Sequence, residues 1–220
     1  AKNKLIEYYN NNTQDKKLLT DLLTDLNRKI NVIKCKPITS IINNLETLAK
    51  NVCEKTNKKL NPFKIDLKVK DLPPDIYSAI QSPLIHIVQN SVDHGIEPPI
   101  ERVSKGKDEF GNISFTSGIK DNNIVISVSD DGNGLNENAI LDKARKLGII
   151  SESSTLFKEE ILDLICRPGF STKNEATNIS GRGVGMDIIR KSVENAGGTL
   201  ILDYKANKGT SVQKIGRAHV

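Results

Sequence analysis

Two short stretches in which glycine alternates with other residues, Asp130-Asp-Gly-Asn-Gly134 and Gly181-Arg-Gly-Val-Gly185, constrain this chain more than any other feature. Each stands just ahead of a helical pattern, and each supplies backbone without side chains where something must come close. In the second stretch, successive glycines before a helix leave unpaired N–H groups and the positive end of the helix dipole facing outward. Phosphate is the natural guest of such a loop. In the first, a carboxylate at a strand end beside glycines allows a flat ligand to approach the backbone while Asp130 accepts from an exocyclic amine. Other loop chemistries are excluded. Counted with Gly132 as the sixth position, the twelfth is Asn138 rather than Glu, so this is no EF-hand calcium loop. Met186 holds the place of the third glycine of a dinucleotide fingerprint, and the Walker lysine is missing.

The remainder must build an ordinary core around these loops. The chain has 220 residues, 37% of them hydrophobic and only 4% aromatic with no Trp, which makes the core aliphatic. A chain of this size hides roughly 70% of its surface on folding and needs no disulfide or metal staple. No uninterrupted apolar stretch approaches the ~20 residues of a membrane span, so direct membrane insertion is not expected. Cys35, Cys53 and Cys166 are odd in number, far apart and in no C-x-x-C pair, against both a disulfide framework and a zinc site; a cytoplasmic location is the expectation. The net charge of +5 invites a nucleic-acid reading, but the lysines are scattered among Asp and Glu rather than gathered in a stripe, and no nucleic-acid partner is expected.

Periodicity predicts an amphipathic helix over 16–33, through Leu18, Leu19, Leu22, Leu26, Ile30 and Ile33, stopped by Pro37, and a second over 38–58. Residues 63–69 alternate strictly and read as a strand. Pro73-Pro74 opens a helical region in which Ser82-Pro83 reads as cap and first-turn proline of a helix ending at Gly95. Strands over 112–118 and 123–129 flank a turn and form a hairpin. Helices are expected over 136–147, 158–165 and 184–196, and final strands over 199–204 and 210–214. The irregular, polar stretch 167–182 is a candidate lid. The fold class expected is α+β, with a mixed, mostly antiparallel sheet covered by helices on one face and preceded by an N-terminal helix. The chain begins at Ala1 without an initiator Met and reads as an excised piece. Residues 215–220 break the preceding alternation and can be encoded by ATC GGA AGA GCA CAC GTC, the start of a common sequencing adapter. They are expected to be translated adapter, with the natural sequence continuing past Lys214.

On the helix 84–94, steps of 100° put Leu84, Ile85, Ile87, Val88 and Val92 on one arc and His86, Gln89, Asn90, Asp93 and His94 on the other. A solvated face normally carries Lys, Glu and Arg. This one carries none of them before Glu97, which suits a defined ligand, although a plain polar face remains open on this evidence. Phe170-Ser-Thr-Lys173 places two hydroxyls and an ammonium in the candidate lid, and Gly209-Thr210 starts the last strand.

In order along the chain, His86-x-x-x-Asn90-x-x-Asp93-His94-Gly95, Asp130-x-Gly132-x-Gly134, Phe170-Ser-Thr-Lys173, Gly181-x-Gly183-x-Gly185 and Gly209-Thr210 resemble the N, G1, F, G2 and G3 boxes of the GHKL ATP-binding superfamily. Within it, Asn90-Ser-Val-Asp-His94-Gly-Ile-Glu97 and Gly181-Arg-Gly-Val-Gly-Met-Asp187 resemble the CheA family of chemotaxis sensor histidine kinases. The resemblance covers residues 37–214 as an ATP-binding catalytic domain of Bergerat-type α/β sandwich fold, and residues 1–36 resemble the end of that family's dimerisation hairpin.

The resemblance implies that Asp130 reads the adenine amino group with Thr210 nearby, and that Asn90 holds Mg²⁺ through its amide oxygen. It implies a nucleotide site completed by Asp93, His94, Gly132, Gly134, Lys143 and Met186. Gly181, Gly183, Val184 and Gly185 would cradle the triphosphate of ATP, Ser171, Thr172 and Lys173 would cover it, and His86 and His94 would lie near the γ-phosphate. Gyrase and chaperone members of the superfamily have Glu where His86 stands and use it to activate water, so transfer to a protein histidine is favoured over hydrolysis. A GHKL ATPase and a non-catalytic nucleotide-binding module are the alternatives. The implied partners are a histidine phosphotransfer domain of the same protein, a second copy through the helical hairpin, a receptor and coupling protein through a further C-terminal domain, and response regulators downstream. Two departures bear on turnover: Gln89 stands where the family often has Arg, and Ala139 where a Lys often helps to bind phosphate.

Overall fold

The computed structural model describes residues 13–151, 154, 156–168, 170, 186–195 and 197–217. It begins with helix α1 (Thr13–Ile33), followed by strand β1 (Lys36–Pro37), helix α2 (Ile38–Thr56), and strands β2 (Lys64–Leu67) and β3 (Asp71–Leu72). Helix α3 (Pro74–Asn90) runs directly into a π turn (Ser91–Gly95), and the short helix α4 (Pro99–Ser104) follows. Strands β4 (Ile113–Lys120) and β5 (Asn123–Asp130), helices α5 (Glu137–Lys146), α6 (Lys158–Ile165) and α7 (Met186–Asn195), and strands β6 (Thr199–Lys205) and β7 (Gly209–Arg217) complete the order.

The main sheet has the order β2-β4-β5-β7-β6, antiparallel throughout except for the parallel edge pair β2/β4. This is the mixed, mostly antiparallel α+β arrangement that the sequence predicts. Strict alternation decides which face is covered: Ile124, Ile126 and Val128 of β5 are buried while the intervening residues are half-buried, and Leu200, Leu202 and Tyr204 of β6 alternate with exposed residues. Helix α3 fills that inner face with Ile76, Ile80, Leu84, Ile87 and Val88 and packs against α2 and α7. On α2 the stripe Ile38, Ile41, Ile42, Leu45, Ala49 and Cys53 is buried, whereas the described leucines of α1, Leu18, Leu19, Leu22, Leu23 and Leu26, are exposed.

Several expectations are corrected. Ser82-Pro83 is no helix start, because Pro83 lies inside α3. A helix-interior proline forfeits one backbone bond, and here the uninterrupted apolar stripe on either side holds the helix together. Ile85, assigned to the apolar arc, is 36% exposed. The strand expected over 63–69 shortens to four residues, and the two-residue pair β1/β3, too short to carry a period, was not anticipated. Helix α4, opened by Pro98-Pro99, was missed as well. The last strand continues beyond Lys214 to Arg217, since a ladder formed by backbone groups accepts whatever residues follow in register. Elsewhere the local chemistry is as expected. Asp121 and Asn122 take the positive φ of a two-residue hairpin turn, and the Asn136 side chain caps α5 by accepting from the Ala139 N–H at 3.0 Å. The candidate lid lies almost wholly outside the described residues.

Candidate functional site

At its C-terminal end β5 turns its last inward position over to a carboxylate. The alternation that buries Ile126 and Val128 places Asp130 on the same face, 9% exposed and level with Ile113 of β4. Three neutral donors hold it: Ser91 Oγ to Oδ2 at 2.9 Å, Gly132 N–H to Oδ1 at 3.0 Å and Thr210 N–H to Oδ1 at 3.3 Å. Burial raises the acid above the usual Asp range; these hydrogen bonds oppose the shift, and neighbouring Asp131 adds to it. A poorly solvated carboxylate with spare acceptor capacity at the edge of a cleft is suited to a donor-bearing guest.

Asp131 points the other way, into a knot of charge. Its Oδ2 accepts from Arg102 Nη2 at 3.0 Å and Asn112 Nδ2 at 2.7 Å, and its Oδ1 accepts from the Asn112 N–H at 2.9 Å. Arg102 also donates to Glu97 Oε2 at 3.0 Å and to the Asp108 carbonyl at 2.7 Å. Lys107 Nζ reaches Glu97 Oε1 at 2.8 Å and the carbonyls of Asp131 and Gly132 at 2.9 and 2.8 Å. Despite burial, hydrogen bonds from Asn112 and Arg102 hold Asp131 below the usual range, and Lys107 and Arg102 do the same for Glu97.

The end of α3 and the π turn hold four further candidate residues, of which His94 lines the cleft around Asp130 and His86, Asn90 and Asp93 do not. Asn90 closes α3, with His86 one helical turn earlier and Asp93 in the turn, all three half-buried; His94 is exposed. Lys58, just past α2, donates to the carbonyls of Val92 and Asp93 at 2.6 and 2.9 Å, and burial lowers its pKa. The turn is also tied to the glycine loop, since the Asn133 N–H donates to the Gly95 carbonyl at 2.8 Å.

Glycine is required where the loop and the last strand meet the Gly95 and Asp130 carbonyls. A Cβ on Gly132 would lie 2.2 Å from the Gly95 carbonyl, and one on Gly209, at φ +106°, would lie 1.8 Å from the Asp130 carbonyl oxygen. At Gly132 the close approach expected for a ligand is thus taken by the chain's own backbone.

A cleft of about 1230 Å³ opens here, and His94, Asp130, Gly134 and Thr210 are among its lining residues. Its far wall includes Tyr204, whose buried hydroxyl is raised above the usual phenol range by burial and then by Glu137. Of the remaining expected residues, Gly132 is packed behind the loop, Lys143 places its ammonium 5.8 Å above the Phe170 ring, and Met186 begins α7 against the core. Ser171, Thr172, Lys173, Gly181, Gly183, Val184 and Gly185 lie outside the described residues. Among the described residues, no cluster of three His, Cys, Asp or Glu could hold a metal ion. A hard cation at Asn90 would therefore take most of its oxygens from a bound phosphate and water, which is the way magnesium is usually held.

Sequence reasoning missed Ser91, Lys58 and the Glu97–Arg102–Lys107 group. Ser91 was findable, because four residues after Ile87 it is a polar residue on the apolar arc. The partners of Lys58 and Arg102 are set by tertiary approach and leave no periodic trace.

A mostly antiparallel five-stranded sheet with helices on one face, a buried aspartate at a strand end and a helix carrying Asn one turn after His are the arrangement that the resemblance to an ATP-binding domain of the α/β-sandwich class leads one to expect. Residues 79–215 match the family described as Histidine kinase-, DNA gyrase B-, and HSP90-like ATPase, and the chain belongs to that family. It is 36% identical over 189 residues to Chemotaxis protein CheA of Klebsiella aerogenes, covering 86% of this chain and 29% of that protein. To Chemotaxis protein CheA of Bacillus subtilis it is 34% identical over 204 residues, covering 92% of this chain and 30% of that one. The chain thus spans about three-tenths of the length of these relatives. The fold is shared with the catalytic domain of histidine kinase ThkA, at a TM-score of 0.51 and 21% identity, over 84% of this chain and 94% of that structure. No described helix is long and apolar enough to cross a membrane.

Proposed function

We propose that this chain is the ATP-binding catalytic core of a CheA-type protein histidine kinase, transferring the γ-phosphoryl group of ATP to a histidine on a separate phosphotransfer domain in chemotaxis-type signalling. The observation that carries the reading is Asp130: a buried carboxylate at the cleft, held by three neutral donors and with acceptor capacity left for the adenine amino group. Similarity to the two CheA proteins supports the kinase over other members of the family, as does His86, which stands where a water-activating Glu would make an ATPase.

In this reading Asp130 and Thr210 fix the base, while His94, at the cleft, and His86 lie toward the γ-phosphate. Ser171, Thr172, Lys173 and the amides around Gly181, Gly183, Val184 and Gly185 cover and cradle the phosphates. Lys143, Met186, Gly134 and Asp93 complete the surround, and Gly132 supports it from behind the loop. Asn90 would hold Mg²⁺, which neutralises phosphate charge when bound. The protein's contribution is positioning and charge neutralisation: the incoming imidazole nitrogen forms a bond to γ-phosphorus as the β–γ bridging oxygen leaves with ADP. The acceptor domain, dimerisation through the α1 region, a receptor and coupling protein, response regulators and a cytoplasmic setting all belong to the proposal.

The test incubates the chain with γ-labelled ATP and a separately expressed phosphotransfer domain. Magnesium-dependent label on that domain is the expected result. Phosphate release without acceptor would favour the ATPase, and tight ATP binding with neither outcome would favour a non-catalytic module.

A further inference from the structure

We infer that Glu97, Arg102 and Asp131 are positioning residues: their buried ion cage fixes the Asp130–Gly132 backbone from behind and so sets where Asp130 presents its carboxylate. The functional consequence rests on the ATP-binding reading above. The cage grips backbone as well as side chains. Arg102 donates to the Asp108 and Phe110 carbonyls at 2.7 and 3.3 Å and to the Asp131 carbonyl at 3.4 Å, besides its two carboxylate partners. Lys107 holds the next carbonyl along, that of Gly132, at 2.8 Å. Gly132 is therefore gripped at both ends, its carbonyl by the cage and its N–H by Asp130. A shift of the cage is passed on through Gly132, and through the Asp131 backbone beside it, to the carboxylate in the cleft.

Stability alone does not account for such an arrangement. The Arg102 and Glu97 side chains are 1% and 0% exposed, and an ion pair so deeply buried is often no more stabilising than apolar groups of the same volume. What a planar guanidinium adds is direction: its donors are fixed in one plane and can satisfy these acceptors in only one loop geometry. The other two donors to Asp130, Ser91 and Thr210, come from separate elements, the π turn and β7, so the relation of the acid to them depends on where the loop is held.

The test compares Asp131→Ala, Asp131→Asn and Arg102→Lys with the parent chain in two measurements. Amide hydrogen exchange without nucleotide follows Gly132, with Ile126 and Val128 of β5 as internal references. In Asp131→Ala, exchange at Gly132 is expected to accelerate about tenfold or more while the references hold. Affinities for ATP and GTP are then measured by calorimetry, and the ATP preference is expected to fall about tenfold in the same variant, with the two conservative variants in between. A cage that is only structural would lower protection at all three amides together and leave the ATP-to-GTP ratio as in the parent; that result overturns the inference, as does unchanged Gly132 protection in both Asp131→Ala and Arg102→Lys. A parent chain that does not prefer ATP would refute the functional reading instead, and exchange at Gly132 would still decide whether the cage fixes the loop.

Discussion

Asp130 and Asp131 are adjacent, carry the same side chain and sit at the same strand end, yet one faces a cleft and the other a buried guanidinium. Burial acts on both. At Asp130 it prevails over three neutral hydrogen bonds and raises the pKa; at Asp131 the Asn112 and Arg102 contacts prevail and lower it. The difference shows how β alternation separates two tasks within one dipeptide. The inward acid is left under-solvated, which costs stability and leaves it receptive to a ligand, whereas the outward acid keeps some water and is hydrogen-bonded to Arg102 and Asn112, which hold the loop.

The largest contrast should come from removing the charge that Asp131 shares. Arg102→Met takes the guanidinium from buried Glu97, which keeps Lys107 at 2.8 Å, and leaves the Asp108 carbonyl without that donor; it is expected to cost about 3 kcal/mol in urea unfolding, the low end for a broken buried pair, with little of it through Asp131, whose side chain is 37% exposed and retains water. Asp130→Asn should do the reverse. Neutralising an acid whose pKa burial has raised leaves stability at neutral pH unchanged or higher, while ATP affinity falls by about 10- to 100-fold in calorimetry, the value of a hydrogen bond to a charged group. Should Asp130→Asn destabilise the fold and leave affinity intact, the division of tasks is wrong.

Gly132→Ala forces a methyl into the Gly95 carbonyl, 2.2 Å away, and is expected to cost about 1–3 kcal/mol with a parallel loss of ATP binding. The pH dependence sharpens the comparison further. Glu97 and Asp131 have depressed pKa values, so their stabilisation is present above the ordinary carboxylate range and is lost as pH falls through their folded values, below about pH 4. Asp130 has the opposite sign: its contribution is complete below the ordinary Asp pKa and is lost as pH rises through the raised folded value. Urea midpoints taken across this range should show a steep acid limb that Glu97→Gln flattens and Asp130→Asn steepens. The smallest effect is expected at Lys58→Met, about 1 kcal/mol, from loss of its two carbonyl contacts on the π turn.

What could be read in advance follows from which interactions are periodic. The helix over 158–165 falls at its expected bounds because a spaced apolar set and a first turn of Glu159 and Glu160 are local signals. The hairpin β4/β5 is legible for the same reason, from alternation and an Asp-Asn turn. Pro83 misled because local chemistry favours a helix start there, while the stripe from Ile76 to Val88 buries regardless of the missing N–H. The site was legible as a set of residue types in order; Ser91 was overlooked, and the contacts of Lys58 and of Arg102 come from chain segments that share no period with the loops they hold.

Asp130 was marked by the residues alone, as an acid at a strand end before alternating glycines, and so were the family and the β4/β5 hairpin, because all of these depend on order and spacing along the chain. Only the tertiary structure decided that Asp131 belongs to Arg102, that Gly132 must make room for Gly95 rather than for a ligand, and that one aspartate's pKa rises as its neighbour's falls. Those outcomes depend on distances of a few ångströms between distant segments and on how much water each carboxylate loses when they meet, and neither quantity exists until the chain has folded.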